Sequence, residues 1–79
     1  MIILYLKSGC PYCVRVQEVL RGIGVPYESR NILSDEHRQA LLLSGGKVQV
    51  PYLIDTEKNT ALYESEDIVK YLLTHYAPR

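Results

Sequence analysis

Apolar and polar positions along the first third of the chain predict a strand, a helix and a second strand. Residues 2–6 form a continuous apolar run, typical of a strand covered on both faces. The helix begins near Pro11, where a first-turn proline is tolerated, and Gly22 and Gly24 end it. Its predicted buried stripe has the spacing i, i+3, i+4 and i+7, at Val16, Val19, Leu20 and Ile23. Residues 27–32 predict a more polar strand, so this segment is a βαβ unit.

The middle of the chain predicts a second helix followed by a hairpin. Ser34 is expected to cap that helix with its hydroxyl, because Asp35 and Glu36 follow it and face the positive end of the helix dipole. The helix ends at two adjacent glycines, Gly45 and Gly46. Two strands then follow, with a polar turn between them at residues 55–59. The strands are predicted at residues 50–54 and 60–63.

Ser65 is expected to be the N-cap of a last helix, with acids in its first turn. The predicted buried stripe of that helix comprises Ile68, Val69, Leu72 and Tyr76. The element order is therefore β-α-β-α-β-β-α, which is an α/β fold.

Length and charge exclude several classes of protein. With 79 residues, 47% hydrophobic and 23% charged, the chain is expected to form one domain over residues 1–79. Nine basic and nine acidic residues balance, so no basic footprint indicates nucleic acid as a partner. No apolar run is long enough for a membrane span, and the first residues lack the features of a signal peptide. We therefore expect a cytoplasmic monomer that does not act at a membrane.

Cys10 and Cys13 are the two cysteines, and three roles for them compete. A structural disulfide is disfavoured, because stabilisation grows with the length of the closed loop and this loop is very short. A zinc site needs about four ligands, and His37 and His75 do not have the spacing of a zinc finger. No metal is expected. A Cys-x-x-Cys that opens the helix of a βαβ unit favours the third role, thiol–disulfide redox chemistry.

The position of Cys10 favours a reactive thiolate. It lies where the first strand ends and the helix begins, so free N–H groups and the helix dipole stabilise the anion. Lys7 can add a positive charge, and Tyr12 places an amphipathic ring beside the sulfur. Cys13 lies one turn further along and is more shielded. This asymmetry predicts Cys10 as the nucleophile and Cys13 as the resolving thiol.

At these residues the chain resembles the glutaredoxins, which are small thioredoxin-fold enzymes that use glutathione. The dithiol motif Cys10-Pro11-Tyr12-Cys13 carries the resemblance, together with Lys7, Arg15 and the pair Val50-Pro51. The resemblance implies a four-stranded mixed sheet flanked by three helices and a cis peptide bond before Pro51. One segment departs from the family, because Glu64-Ser65 before the last helix is more similar to the N-terminal domain of glutathione transferases.

The resemblance also implies that glutathione is the co-substrate. It implies that Val50 and Pro51 face the central cysteinyl residue and that Ser65, with Glu66, meets the γ-glutamyl end. Lys7 or Arg38 would meet the glycine carboxylate, with Tyr12 beside the sulfur. The expected activity is the reduction of protein disulfides and of glutathionylated proteins.

Two alternatives stay open at this point. One is a carrier of an iron–sulfur cluster held by Cys10 and glutathione, which Pro11 disfavours. The other is a glutathione-binding module related to transferases. Glu64 and Ser65 favour that module, whereas Cys13 disfavours it, because a transferase has no need of a second thiol.

Overall fold

Four strands and three helices follow one another in the predicted order, and the computed structural model describes residues 1–77. The strands are β1 (Ile2–Leu6), β2 (Tyr27–Asn31), β3 (Tyr52–Asp55) and β4 (Thr60–Tyr63). The helices are α1 (Pro11–Gly22), α2 (Asp35–Gly45) and α3 (Ser65–Tyr76). The predicted fold class is confirmed. None of the helices within residues 1–77 has the length and apolar character needed to cross a membrane.

The order of the strands brings the chemically interesting segments to one end of the sheet. The order is β2-β1-β3-β4, with β1 and β2 parallel and the other pairs antiparallel. The carboxyl ends of β1 and β2 therefore lie beside the start of β3 and the end of β4. We call this the active-site end, and it carries Cys10, Pro51 and Ser65. The opposite end carries Asp55, which pairs with Ile2 and Thr60.

Helices cover both faces of the sheet. On one face, α1 and α3 pack on β1 and β3 through a fully buried apolar cluster. Its fully buried members are Leu4, Val16, Leu20, Leu53, Ile68 and Leu72. On the other face, Leu41 of α2 packs against Ile3, Tyr5 and Tyr52. Each apolar side chain that is buried in this way stabilises the fold by about 1.5–3 kcal/mol. The packing holds the strands in place and hence the loops at the active-site end.

Strand boundaries differ slightly from the prediction. β2 ends at Asn31, one residue earlier than predicted. β3 begins at Tyr52 and extends to Asp55, whereas residues 50–54 were predicted. Proline has no N–H to contribute to a ladder, so pairing starts only after Pro51.

Both predicted caps need correction. Ser34 occupies the N-cap position of α2, but its hydroxyl makes no capping hydrogen bond; the residue is exposed, so water can reach the free N–H groups. The N-cap of α3 is Glu64, and Ser65 is the first residue of the helix. Glu64 adopts a φ of 69°, which turns the chain into the helix one residue earlier than predicted. Its side chain does not cap the helix either.

Candidate active site

Cys10 is the N-cap of α1, and its sulfur is aligned with the backbone of the first turn. Its Sγ accepts a hydrogen bond from the N–H of Cys13 at 3.3 Å. Its own N–H donates to the carbonyl of Lys7 at 3.1 Å, and Gly9 has a φ of 82° that lets the loop turn sharply. Cys10 is partly exposed and both cysteines are free thiols. A partly exposed sulfur at the start of a helix is accessible to a disulfide and lies beside the backbone N–H groups of the first turn.

Cys13 lies behind Cys10 and has the opposite environment. It is only 1% exposed. Burial, with a further contribution from the hydrogen bond between the two thiols, raises the pKa of Cys13 to about 12. Cys13 is therefore a neutral thiol in the reduced protein at physiological pH. The exposure of the two cysteines differs in the predicted sense, and their roles as nucleophile and resolving thiol stay predictions.

A groove of about 680 Å³ runs beside the dithiol, between the start of α1, the segment before β3 and the start of α3. It is lined by Tyr12, Arg15, Gln49, Val50, Pro51, Glu64, Ser65, Glu66 and Asp67. The lining combines one basic side chain with three acidic ones. It therefore offers partners for both signs of charge on a zwitterionic ligand.

Backbone groups in the groove are free to bind a ligand. The Val50–Pro51 peptide bond is cis, as the resemblance implied. Within residues 1–77 the N–H and C=O of Val50 make no hydrogen bond to other backbone groups. At the start of α3 the side chain of the N-cap residue, Glu64, makes no hydrogen bond to the free N–H groups. An extended peptide beside Val50 and a carboxylate at the helix N-terminus would each satisfy these groups.

A polar bridge spans two sides of the groove. Gln49 Nε2 donates to Glu64 Oε1 at 2.8 Å, which joins the segment before β3 to the N-cap of α3. Glu64 is exposed, so this carboxylate can exchange the bridge for a ligand. Ser65 beside it is buried, at 9% exposure, and lies at the floor of the groove.

Five of the predicted glutathione-binding residues line the groove: Tyr12, Val50, Pro51, Ser65 and Glu66. Two others lie outside it. Lys7 is exposed on the loop before Cys10, and its carbonyl accepts a hydrogen bond from the N–H of Cys10. Arg38 is on α2, with its Nη2 3.8 Å from Asp35 Oδ1. A role of either residue at the glycine carboxylate stays a prediction.

Sequence reasoning did not assign four of the residues that line the groove, namely Arg15, Gln49, Glu64 and Asp67. Arg15 is two residues after Cys13 and Gln49 is next to Val50, so proximity to the two predicted motifs was a signal that could have found them. Within residues 1–77 no group of three or more His, Cys, Asp or Glu side chains is arranged to hold a metal ion.

Comparison with known proteins gives two kinds of relative. The family model described as glutathione S-transferase, N-terminal domain, matches residues 4–79. Glutaredoxin 1 from Rickettsia prowazekii (strain Madrid E) is 34% identical over 55 residues, which is 66% of this chain and 58% of the relative. The aligned region thus spans a little over half the length of that relative.

Solved structures that are similar to this chain include a glutathione transferase and a thioredoxin-like protein. Glutathione S-transferase unclassified 2 from Bombyx mori superimposes with a TM-score of 0.83 at 26% identity, over 99% of this chain and 37% of the transferase. A thioredoxin-like protein gives a TM-score of 0.78 at 24% identity, over 92% of this chain and 100% of that protein. At that identity the second likeness bears on the fold alone. The predicted resemblance to glutaredoxins, with a transferase-like segment, is confirmed.

Proposed function

Since the chain belongs to the glutathione S-transferase N-terminal domain family, within the thioredoxin fold, we propose that it is a glutathione-dependent thiol–disulfide oxidoreductase. The observation that carries the proposal is the pair of thiols at the start of α1. Cys10 Sγ accepts the N–H of Cys13 and is partly exposed, whereas Cys13 is buried and neutral. A thiolate in front of a protonated thiol is the arrangement that successive disulfide exchange requires.

In the first step, Cys10 attacks the glutathionyl sulfur of a modified protein. A new S–S bond forms between Cys10 and glutathione, the original S–S bond breaks, and the protein leaves as a thiolate that takes up a proton. The protein thiol is reduced and Cys10 is oxidised to the mixed disulfide. A second glutathione thiolate then attacks the bound glutathione sulfur, which releases glutathione disulfide and restores the Cys10 thiolate.

Protein disulfides follow a route through Cys13. After Cys10 has attacked, the protein is attached through a mixed disulfide. Cys13 must then lose its proton and attack Cys10 Sγ, which forms the Cys10–Cys13 disulfide, breaks the S–S bond between Cys10 and the protein, and releases the protein as a thiolate that takes up a proton. Formation of the mixed disulfide removes the anionic Cys10 neighbour that helps to raise the pKa of Cys13. Burial is the larger cause and persists, so the second step is the slower one at neutral pH. Two glutathione molecules then reduce the Cys10–Cys13 disulfide.

Glutathione is an extended tripeptide with a carboxylate at each end, and the groove offers complementary groups. We assign the free N–H groups at Ser65 and Glu66 to the γ-glutamyl carboxylate and the backbone of Val50 to the central cysteinyl residue. Arg15 joins Lys7 and Arg38 as a candidate for the glycine carboxylate, because its side chain lines the groove. The names of the relatives, glutaredoxin and glutathione transferase, support glutathione as the ligand.

The proposed partners are glutathione and disulfide-containing or glutathionylated proteins. The proposed setting is the cytoplasm, where a glutathione pool can supply the electrons.

A second candidate function is a glutathione-binding module of the transferase kind. The Glu64-Ser65 pair at the start of α3 and the match to the transferase family model favour it. The presence of Cys13 behind Cys10 distinguishes the two, because only the redox function uses both thiols.

A glutathione-coupled assay on a glutathionylated peptide tests the proposal. Wild type and Cys13→Ser should both turn over, because glutathione itself resolves the mixed disulfide. Cys10→Ser should lose all turnover, because the nucleophile is gone. On a protein disulfide, Cys13→Ser should also lose activity. Equal loss in the two variants on the glutathionylated peptide would contradict the assigned roles, and no turnover by wild type would favour the binding module.

A further inference from the structure

A hydrogen bond outside the groove connects the loop that carries Cys10 to the end of β2. Asn31 Nδ2 donates to Ser8 Oγ at 2.9 Å. Within the described part of the chain this is the one side-chain hydrogen bond between loop residues 7–9 and another element. We propose that Asn31 is a positioning residue that acts through Ser8 to hold Cys10 in place. The inference rests on the proposed function only in taking Cys10 as the nucleophile.

The Cys10 loop needs an external contact because its own interactions do not connect it to the sheet. Residues 7–9 are exposed, and Gly9 at a φ of 82° contributes no side chain to packing. The hydrogen bond from the N–H of Cys10 to the carbonyl of Lys7 closes a turn within the loop. The position of that turn relative to the sheet is therefore set by β1, by α1 and by the contact from Asn31 to Ser8.

Asn31 is itself held firmly enough to orient Ser8. It pairs with Leu6 in the parallel register, and the next N–H, that of Ile32, donates to the Leu6 carbonyl at 2.9 Å. Its Oδ1 accepts from the N–H of Leu33 at 3.0 Å. With Oδ1 used in this way, the amide presents Nδ2 to Ser8, so one side chain fixes both the β2–α2 turn and the Cys10 loop.

Loss of this contact should affect the sulfur rather than the groove. The hydrogen bond from the N–H of Cys13 to Cys10 Sγ, at 3.3 Å, depends on the loop holding Cys10 at the end of α1. A freer loop would keep the sulfur aligned for a smaller fraction of the time, and attack would slow. Neither Asn31 nor Ser8 lines the groove, so glutathione binding should be unaffected.

The test measures alkylation of Cys10 by iodoacetamide at neutral pH, in a Cys13→Ser background that leaves one thiol. Asn31→Ala and Ser8→Ala should each slow alkylation by about 2-fold to 10-fold, the range expected for one hydrogen bond. The double variant should be no slower than Asn31→Ala alone, because both changes remove the same contact. Ser8→Thr keeps a hydroxyl and should restore the rate. In the glutathione-coupled assay, kcat should fall with KM for glutathione unchanged.

Gln17→Ala is the matched control. It removes a different amide-to-hydroxyl hydrogen bond, from Gln17 Nε2 in α1 to Tyr27 Oη in β2 at 3.2 Å. Tyr27 is the first residue of β2, at the opposite end of the strand from Asn31. It should leave the alkylation rate unchanged. Unchanged alkylation in Asn31→Ala, additive losses in the double variant, or an equal loss in Gln17→Ala would each overturn the proposal. Alkylation requires no glutathione, so its outcome is independent of whether the chain uses glutathione at all.

Discussion

The two ends of β3 treat polar groups in opposite ways. At the last residue of β3, which is the end away from the active site, the Asp55 carboxylate is 0% exposed and all of its hydrogen-bonding capacity is used. It accepts from Tyr71 Oη at 2.8 Å and Tyr76 Oη at 2.5 Å, and from the backbone N–H groups of Glu57 and Lys58 at 3.1 and 3.3 Å. The carboxylate thus joins β3 and the turn that follows it to α3.

At the active-site end, backbone groups on the surface of the groove lack such partners among residues 1–77. Within residues 1–77, the backbone of Val50 is unpaired with other backbone groups, and the side chain of Glu64 does not cap the start of α3. The polar groups of Asp55 hold the fold together, whereas those around Val50 and Ser65 are available to a ligand. β3 therefore connects the stabilising hydrogen bonds around Asp55 to the groove at the active-site end.

The electrostatics of Asp55 show why a buried carboxylate is tolerated. Burial alone would raise its pKa, but the hydrogen bonds from Tyr76, Tyr71 and two backbone N–H groups outweigh burial and lower the pKa of Asp55 below its usual range. The same contacts act in reverse on the phenols. The hydrogen bond to the carboxylate raises the pKa of Tyr76, and burial together with that carboxylate raises the pKa of Tyr71. All three groups therefore keep the ionisation states that the hydrogen bonds need.

The largest expected effect concerns Cys13, a buried titratable group at the active-site end. A Cys10→Ser variant keeps Cys13 alone, and burial should still hold its pKa well above that of an exposed thiol. Near pH 9, where an exposed cysteine with a pKa of about 8.5 is mostly ionised, Cys13 should show almost no thiolate absorbance in the ultraviolet. Unfolding the variant in urea should restore it. Substantial absorbance in the folded variant at this pH would contradict a buried resolving thiol.

Asp55→Ala should give the largest loss of stability. It leaves two phenol hydroxyls and two N–H groups without their acceptor, which should cost about 2–4 kcal/mol of unfolding free energy. Tyr76→Phe removes one donor and should cost about 1 kcal/mol. Urea unfolding followed by circular dichroism measures both. A loss below about 0.5 kcal/mol in Asp55→Ala would mean that this end does not stabilise the fold as described.

Ser65→Pro should weaken glutathione binding. Ser65 is the first residue of α3, where proline is tolerated, and the substitution removes one N–H from the groove. KM for glutathione should rise by about 3-fold to 10-fold, the loss expected for a hydrogen bond to a charged group. Ser65→Ala keeps the N–H and is the matched control. An equal rise in both variants would assign the contact to the hydroxyl instead.

The smallest expected effect is the loss of stability in acid that comes from the Asp55 carboxylate. The folded-state pKa of Asp55 lies below its unfolded value of about 3.9, so its stabilisation is present above that value and is lost as pH falls through the folded pKa. Asp55→Asn cannot titrate, so its unfolding free energy should fall less than that of wild type between about pH 6 and pH 3. Parallel losses in the two proteins would show that other carboxylates dominate acid unfolding.

The fold could be predicted from the sequence because the spacing of apolar residues that marks each element lies within that element. Each strand and helix has its own pattern of apolar residues, and the Cys-x-x-Cys motif marks the start of α1 directly. The caps at Ser34 and Ser65 were wrong in detail, because whether a hydroxyl turns toward the N–H groups depends on backbone angles such as the φ of Glu64. Residue types alone do not specify those angles.

The parts that could not be predicted depend on contacts between distant residues. Asp55 was assigned to a polar turn, and nothing local indicates that Tyr71 and Tyr76, 16 and 21 residues away, donate to it. Arg15 and Gln49 line the groove only because α1, β3 and α3 converge there. The same holds for Asn31, which reaches Ser8 across a separation of 23 residues.

The most direct measurement charges a Cys13→Ser variant with glutathione at Cys10 and compares its amide chemical shifts with those of the reduced form. If the groove at the active-site end holds glutathione as proposed, shifts should appear together at Cys10, Val50 and Ser65, while the amides around Asp55 stay unchanged. Shifts confined to the neighbours of Cys10 would contradict a specific glutathione site, and the protein would then act as a dithiol reductase without a preferred thiol.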